Sequence, residues 1–531
     1  MISKQIQLTA AAAAVAAAFA AAPAHAYVIV GAGASAVNNG LLNALVDNDC
    51  VAGTITFYDN STSPPSNGKL ANGTVYTVSC TAVTSTKYTS NPFNVSYDTT
   101  GGSWKAFTST TPLFFTTAQA SAGTLNYVKT IDPALTTCST SPVSNYTAKL
   151  ADGTITTVTY QWGCSTVAVG SGGNTDTPTF GLTDVEPNLF ASFTGNQPLQ
   201  DGTWNSSPEW LLSPFTLGAE YSGFGSGNSG GIQVFGVVFG VAVSGPLYAA
   251  LQNDQLVGNS SVGALLPSSC GTGTLGSTTL QSASAACAPF ISKDQYANIL
   301  SVKGGAAQNS AAPLFLNQTS WSDYSLEWAR RDQGSGTQAG ANAYFTNNGC
   351  NGNAEAPYGI ALPANSVQQG GGFNNIITYN PSTSDVIQRL QGYPTTLNGV
   401  SNAYPTSSFV IGTVSGEKYS SSSISGSGTW GSGSSSAPWG FLRLEGFLPL
   451  VANVQAGLYS YSTTEILHCS STASGDSAQL CLDLAGKTSG AASLQSFATT
   501  GPTGIYPVST VGGGTQIYYT NALTCNGLKH K

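Results

Sequence analysis

The sequence predicts an α/β protein with parallel sheets, and three observations carry that expectation. Short strand-type segments run into glycine- or hydroxyl-rich turns and then into helical periodicity at three places: 27–30 (YVIV) into Gly31-Ala32-Gly33-Ala34-Ser35, 93–97 (FNVSY) into Asp98-Thr99-Thr100-Gly101-Gly102-Ser103, and 326–329 (LEWA) into Arg330-Arg331-Asp332-Gln333-Gly334-Ser335-Gly336-Thr337-Gln338. Strands alternating with helices are the signature of layered α/β folds. The third observation is the unbroken apolar run 232–243 (IQVFGVVFGVAV), the pattern of a strand buried on both faces of a parallel sheet.

Composition bounds what the chain can do. Only 8% of the 531 residues are charged, and 24 acidic residues face 16 basic ones. No broad basic surface is available, so nucleic acid is not an expected partner. An anion bound by such a chain must be captured locally, by dipoles and single arginines, against the overall field.

Residues 1–26 read as a secretory leader: Lys4 in the n-region, an Ala/Val/Phe h-region, and Ala24-His25-Ala26 as the cleavage site. A soluble exported protein, periplasmic or extracellular, is expected. Ten cysteines agree with an oxidising compartment. Sequence neighbours suggest Cys50–Cys80, Cys138–Cys164, Cys270–Cys287 and Cys469–Cys481, leaving Cys350 and Cys525. Each short closed loop is worth roughly 3 kcal/mol in the chain-entropy model. After the leader only His468 and His530 remain, so no Cys/His metal site and no cofactor are expected.

After 27–35, the apolar residues Val37, Leu41, Ala44 and Leu45 fall at helical spacing. Segments 50–92 and 108–178 read as hairpins and loops, including one across Ala151-Asp152-Gly153. A helix from Trp104 is predicted. At Phe180-Gly181-Leu182-Thr183-Asp184 an aspartate stands at a strand end. The segment Gly227-Asn228-Ser229-Gly230-Gly231 is similar to the nucleophile loop of trypsin-like proteases, but no histidine lies between the leader and Ser229 to serve as base. Ser292-Lys293-Asp294-Gln295 is a capping box, and the helix beginning Ser384-Asp385 ends at Gly392. Residues 419–436 are Ser/Gly-rich and read as a mobile loop.

The turn 330–338 is the strongest site signal. A glycine-rich turn opening a helix presents unpaired backbone N–H groups and the positive end of the helix dipole. Ser335 and Thr337 add hydroxyl donors, and Arg331 adds a planar fork suited to a tetrahedral oxyanion.

The order of these segments (GAGAS, a glycine/hydroxyl turn, FG-x-x-D, an apolar crossover strand, RR-x-x-GSGT) resembles the phosphate-binding proteins of bacterial phosphate ABC importers, in the type 2 periplasmic-binding superfamily. The block 442–466 (LRLEGFLPLVANVQAGLYSYSTTEI) adds to the likeness. The resemblance implies two α/β lobes joined by hinge strands, with the ligand trapped between them by closure on a microsecond-to-millisecond scale. Lobe one would comprise 27–231 plus 450–531, decorated by β-rich disulfide-bonded insertions near 50–92 and 108–178. Lobe two would comprise 232–449.

Residue by residue, the resemblance assigns Ser35 and the amide of Ala36 to the first anion turn, Asp184 to the proton acceptor, and Arg331, Ser335, Gly336 and Thr337 to the arginine and helix-start donors. The remaining turn departs from the family's Gly-Ser-Ser-Gly-Gly, so its hydroxyl could come from Thr99, Thr100 or Ser103. Gln333 stands where the family has an aspartate that holds the arginine. The expected function is capture of inorganic phosphate by a monomer, feeding an inner-membrane ABC permease or scavenging outside the cell. The competing readings are a surface or matrix protein with a degenerate site, and a phosphatase on the same scaffold. Independently of the family, a carboxylate in a donor-rich pocket suits an anion that carries a proton. Monohydrogen phosphate does near neutrality, whereas sulfate does not.

Overall fold

The computed structural model describes residues 28–36, 38–64, 73–83, 88–100, 102–104, 106, 128–149, 155–169, 178–185, 189, 232–301, 311–331, 334–346, 366–370, 373–380, 382–393, 395–397, 400–402, 409–470, 473–485 and 505–506. The leader, the protease-like segment 227–231, Asp332, Gln333, Cys350, Cys525 and most of the helix expected after Trp104 lie outside the described residues.

The first part of the chain gives strand β1 (Val28–Gly33), helix α1 (Asn38–Asn48), and strands β2 (Thr56–Asp59), β3 (Val75–Cys80), β4 (Phe93–Asp98), β5 (Val143–Lys149), β6 (Ile155–Trp162) and β7 (Pro178–Thr183). Next come β8 (Ile232–Ser244), α2 (Gly245–Val257), α3 (Lys293–Ser301), β9 (Leu326–Arg331), α4 (Gly336–Thr346), β10 (Ser366–Gly370), β11 (Phe373–Asn380), α5 (Thr383–Leu390) and β12 (Phe409–Ser415). The last part adds β13 (Trp439–Phe441), α6 (Val451–Gln455), β14 (Ser462–Cys469) and α7 (Gly475–Leu484). These seven α-helices are those among the described residues.

The strands form one continuous sheet in the order β10-β11-β9-β12-β8-β14-β7-β1-β4-β3-β2-β6-β5. It contains two parallel trios. In the first, β1 lies between β4 and β7, and in the second β9 lies between β11 and β12. The α/β class with two sheet regions joined by crossing strands is therefore the architecture of the chain.

The joint is β8. Its first half, Ile232 to Val238, pairs with β14, and its second half, Phe239 to Val243, pairs with β12. Thirteen residues extend about 40 Å, enough to serve both regions. Both partners are antiparallel to it, which corrects the expectation of a strand in a parallel sheet. The apolar run reports that both faces are covered, and Val234 to Val243 is buried throughout. It carries no information about the direction of the neighbours.

The two segments expected as insertions extend the sheet edge. Strands β2 and β3 form an antiparallel hairpin against β4, β5 and β6 form another, and β2 and β6 join in parallel. Cys50–Cys80 and Cys138–Cys164 are disulfides within these segments. Cys270–Cys287 closes a loop after α2, and Cys469–Cys481 ties β14 to α7. Half of these four bridges thus lie outside the decorating strands.

Local signals are realised with two adjustments. Ser292 and Gln295 cap α3 reciprocally, at 3.0 and 2.8 Å. Helix α5 is capped by Ser382, two residues before the expected serine, with Asp385 completing the box. The Ser/Gly-rich stretch after Tyr419 is folded onto the protein rather than loose. Trp430 is buried and donates its indole N–H to Leu390 O at 2.9 Å, and Gly428 N–H donates to Ser436 O at 3.1 Å.

Candidate functional site

In each parallel trio the strands point the same way, so the turns that follow them collect at one end, where ligands of open α/β sheets bind. The turn after β1 is fixed by the N–H of Ala34 donating to Leu182 O of β7 at 2.7 Å. Tyr97 hydroxyl donates to Ala34 O at 3.2 Å. Gly33 is level with Leu182, and half-buried Ser35 and buried Ala36 follow it in this turn.

The second turn separates its three hydroxyls. Thr99 hydroxyl donates to Thr74 O at 2.9 Å, and Thr100 hydroxyl donates to Asp98 Oδ1 at 2.5 Å. Ser103 Oγ instead accepts from the backbone N–H of Asp184 at 3.1 Å. A short 3₁₀ turn, Gly102–Trp104, brings it there. Gly102 has φ +63, and a Cβ on it would lie 2.9 Å from Gly334 O. Only glycine allows this backbone conformation and this approach between the two sheet regions.

From the second region come β9, Gly334 and α4. Ser335 caps α4, its Oγ accepting from Gln338 N–H at 3.4 Å, which leaves the serine's own O–H available to donate. Gly336 packs on the first region: a Cβ there would fall 2.3 Å from Ser103 Oγ and 2.9 Å from Asp184 Oδ2. Thr337 hydroxyl is within hydrogen-bonding reach of the Asp184 carboxyl group. Asp184, Ser103, Arg331, Ser335, Gly336 and Thr337 therefore converge, whereas Thr99 and Thr100 direct their hydroxyls elsewhere.

Arg331 is buried, with Nε donating to Asn380 O at 3.1 Å and Nη1 to Thr383 Oγ1 at 3.0 Å. Its backbone N–H donates to Gln338 Oε1 at 3.1 Å. A main-chain carbonyl at the end of β11 and a hydroxyl at the start of α5 thus orient the guanidinium. Neither Asn380 nor Thr383 was expected, because their sequence distance from Arg331 leaves no local pattern.

The electrostatics centre on Asp184. Burial pushes its carboxyl upward, while contacts with Glu465, the charge of Arg331 and the Thr337 hydroxyl pull it down, and Glu417 raises it. Thr463 hydroxyl donates to Asp184 O. Both Thr463 and Glu465 belong to β14. A lone glutamate in the otherwise uncharged STTEIL segment was the one sequence signal for this neighbour, and the structure buries it fully. No group of His, Cys, Asp and Glu arranged to hold a metal ion occurs among the described residues. A cavity of about 200 Å³ lined by Tyr248, Tyr419 and Phe441 shares no residue with this cluster; its lining lacks the convergent charged groups seen around Asp184.

No family model matches the chain, and no curated protein matches it. Among solved structures it is similar to a protein assigned as a phosphate ABC transporter substrate-binding protein, with bound phosphate, from Clostridium perfringens, at 11% identity and a TM-score of 0.27, covering 52% of this chain and 71% of that one. It is similar to a possible phosphate binding protein from Planctomyces limnophilus at 8% identity and TM-score 0.25, covering 48% and 60%. A third is an ABC-type phosphate transport receptor from Vibrio cholerae, at 11% identity and TM-score 0.22, covering 58% and 74%.

Proposed function

We propose that this chain is an exported solute-binding protein that captures inorganic phosphate as the monohydrogen dianion between its two sheet regions. The observation that carries the reading is one cluster in which buried Asp184 meets Arg331, Thr337 and the start of α4. Arg331 supplies charge-assisted donors, the N-terminal turn of α4 supplies backbone N–H groups, and Ser103, Ser335 and Thr337 supply hydroxyls. Ser35 and the amide of Ala36 close the site from β1. An acceptor among so many donors needs a proton on the ligand, which selects phosphate or arsenate over sulfate.

Two lobes, 27–231 with 450–531 and 232–449, would open and close about β8 and β14. In this reading Asp184 accepts a hydrogen bond from the ligand and takes no part in turnover. Four disulfides among the described residues support an oxidising compartment, and no described helix is long and apolar enough to cross a membrane. Delivery to an ABC permease and extracellular scavenging both use this site. Denaturing the purified protein and assaying released anion tests the reading: phosphate near one equivalent per chain supports it. An anion-free protein that also fails to take up phosphate on titration would refute it.

A further inference from the structure

The pair Asp184–Glu465 is a second feature of the site that the binding scheme leaves unexplained. Strand β14 runs antiparallel to β7, with Ile466 opposite Thr183. One step further along the ladder, Glu465 comes opposite Asp184, and residues so placed have their Cβ atoms about 5 Å apart on one face. Glu465 is fully buried and Asp184 is 3% exposed. Their carboxyl groups are within hydrogen-bonding reach of each other.

Two carboxylates cannot both stay ionised at that separation out of water. With both ionised, Asp184 Oδ1 and both Glu465 oxygens find no donor among the described residues. A single proton between the two groups removes the conflict. The surroundings decide which group holds it. Asp184 has Arg331 and the Thr337 hydroxyl on its side, and both favour its charge. Glu465 has no such partner among the described residues, and burial first, then Asp184, push it well above the ordinary carboxyl range. Of the other ionisable groups facing the pair, Glu417 opposes the charge on Asp184 but weighs less than Arg331, and buried Tyr97 has its hydroxyl raised by burial first and then by Tyr76, Glu465, Asp184 and Asp98.

We propose that Glu465 is a positioning residue for Asp184: it remains a neutral carboxylic acid, donates its proton to the Asp184 carboxylate, and so keeps Asp184 charged with an acceptor lone pair for the ligand's own proton. The inference rests on the phosphate reading and deepens it, because it locates part of the phosphate-over-sulfate discrimination in a residue that touches no ligand. Without that donor, buried Asp184 would take up a proton itself. A neutral Asp184 can donate to sulfate, and discrimination would fall.

The test combines two measurements on the full chain and two variants. Glu465→Gln replaces the acid by an amide that still donates, and Glu465→Leu fills the space with no donor. Infrared spectroscopy of ligand-free protein at neutral pH should show a protonated carboxylic acid in wild type that is missing from Glu465→Gln. Calorimetric titration should show the phosphate-to-sulfate affinity ratio within about threefold of wild type for Glu465→Gln, and reduced about tenfold or more for Glu465→Leu, the worth of a hydrogen bond to a charged group. Absence of the protonated band in wild type, or an unchanged ratio in Glu465→Leu, overturns the role of Glu465 while leaving phosphate binding standing. A wild type that binds neither anion overturns the phosphate reading, and the discrimination role with it.

Discussion

Gly336 and Asp184 are in van der Waals contact across the two sheet regions, so close that a Cβ on Gly336 would lie 2.8 Å from the Asp184 Cβ. The missing side chain is what lets the start of α4 reach the aspartate. Gly336→Ala should therefore separate binding from folding. Alanine in place of a helical glycine gains at most about 0.5–1 kcal/mol, which offsets part of the packing cost, so thermal stability should fall less than affinity. Overpacking the contact costs about 1–3 kcal/mol, and phosphate affinity should drop about tenfold or more. Wild-type affinity in this variant would show that the contact is not part of the binding arrangement.

Arg331 should be the largest single contributor. Truncating a buried charged partner costs about 2–5 kcal/mol, so Arg331→Ala should weaken phosphate binding by roughly two to three orders of magnitude. Thr383→Val removes the hydroxyl that accepts from Nη1 at 3.0 Å and should cost about tenfold through orientation. Titration of both variants checks the pair. Equal affinity for Arg331→Ala and wild type would remove the arginine from the site.

The frame that carries Arg331 depends on a buried ion pair. On β9, Glu327 receives Arg389 Nε at 2.9 Å and Nη2 at 3.1 Å, plus the Thr378 hydroxyl at 2.8 Å. Glu327→Gln leaves Arg389 charged and buried, a loss of about 3–5 kcal/mol. Denaturant unfolding measures it. A change below about 1 kcal/mol would place the pair among exposed ones.

His468 sets an acid limit on stability. Burial depresses it from 6.5 to about 3, so the folded chain resists a proton that the unfolded chain accepts. Stability should fall as pH drops from 6.5 toward 3, by about 1.4 kcal/mol per pH unit for this group. His468→Phe should show a shallower acid slope than wild type in denaturation curves across that window. Parallel slopes would contradict the assignment.

Much of this was legible in the sequence, for identifiable reasons. Strand β1 with its Gly33 turn, the α3 capping box and the start of α4 at Ser335 are set by residues a few positions apart. What escaped depends on distant partners. Asn380 and Thr383 meet Arg331 across 49 and 52 positions, and Glu465 meets Asp184 only through the register of β14. The direction of β8 was hidden because continuous apolarity says nothing about its neighbours. Ser384 and Ser382 are equally good caps in composition, and only the hydrogen bond to Asp385 chooses between them. Trp430, within a Ser/Gly stretch that reads as loose, pins it through an indole bond to a residue 40 positions away.

The central claim is that Asp184 accepts a proton from the bound anion. Calorimetric titration of wild type and Asp184→Asn with phosphate and with sulfate tests it most directly. Wild type should bind phosphate and reject sulfate. Asp184→Asn, whose amide can turn N–H groups toward the anion, should retain phosphate and admit sulfate. Binding of neither anion by wild type, or rejection of sulfate by Asp184→Asn as strong as in wild type, would contradict the claim.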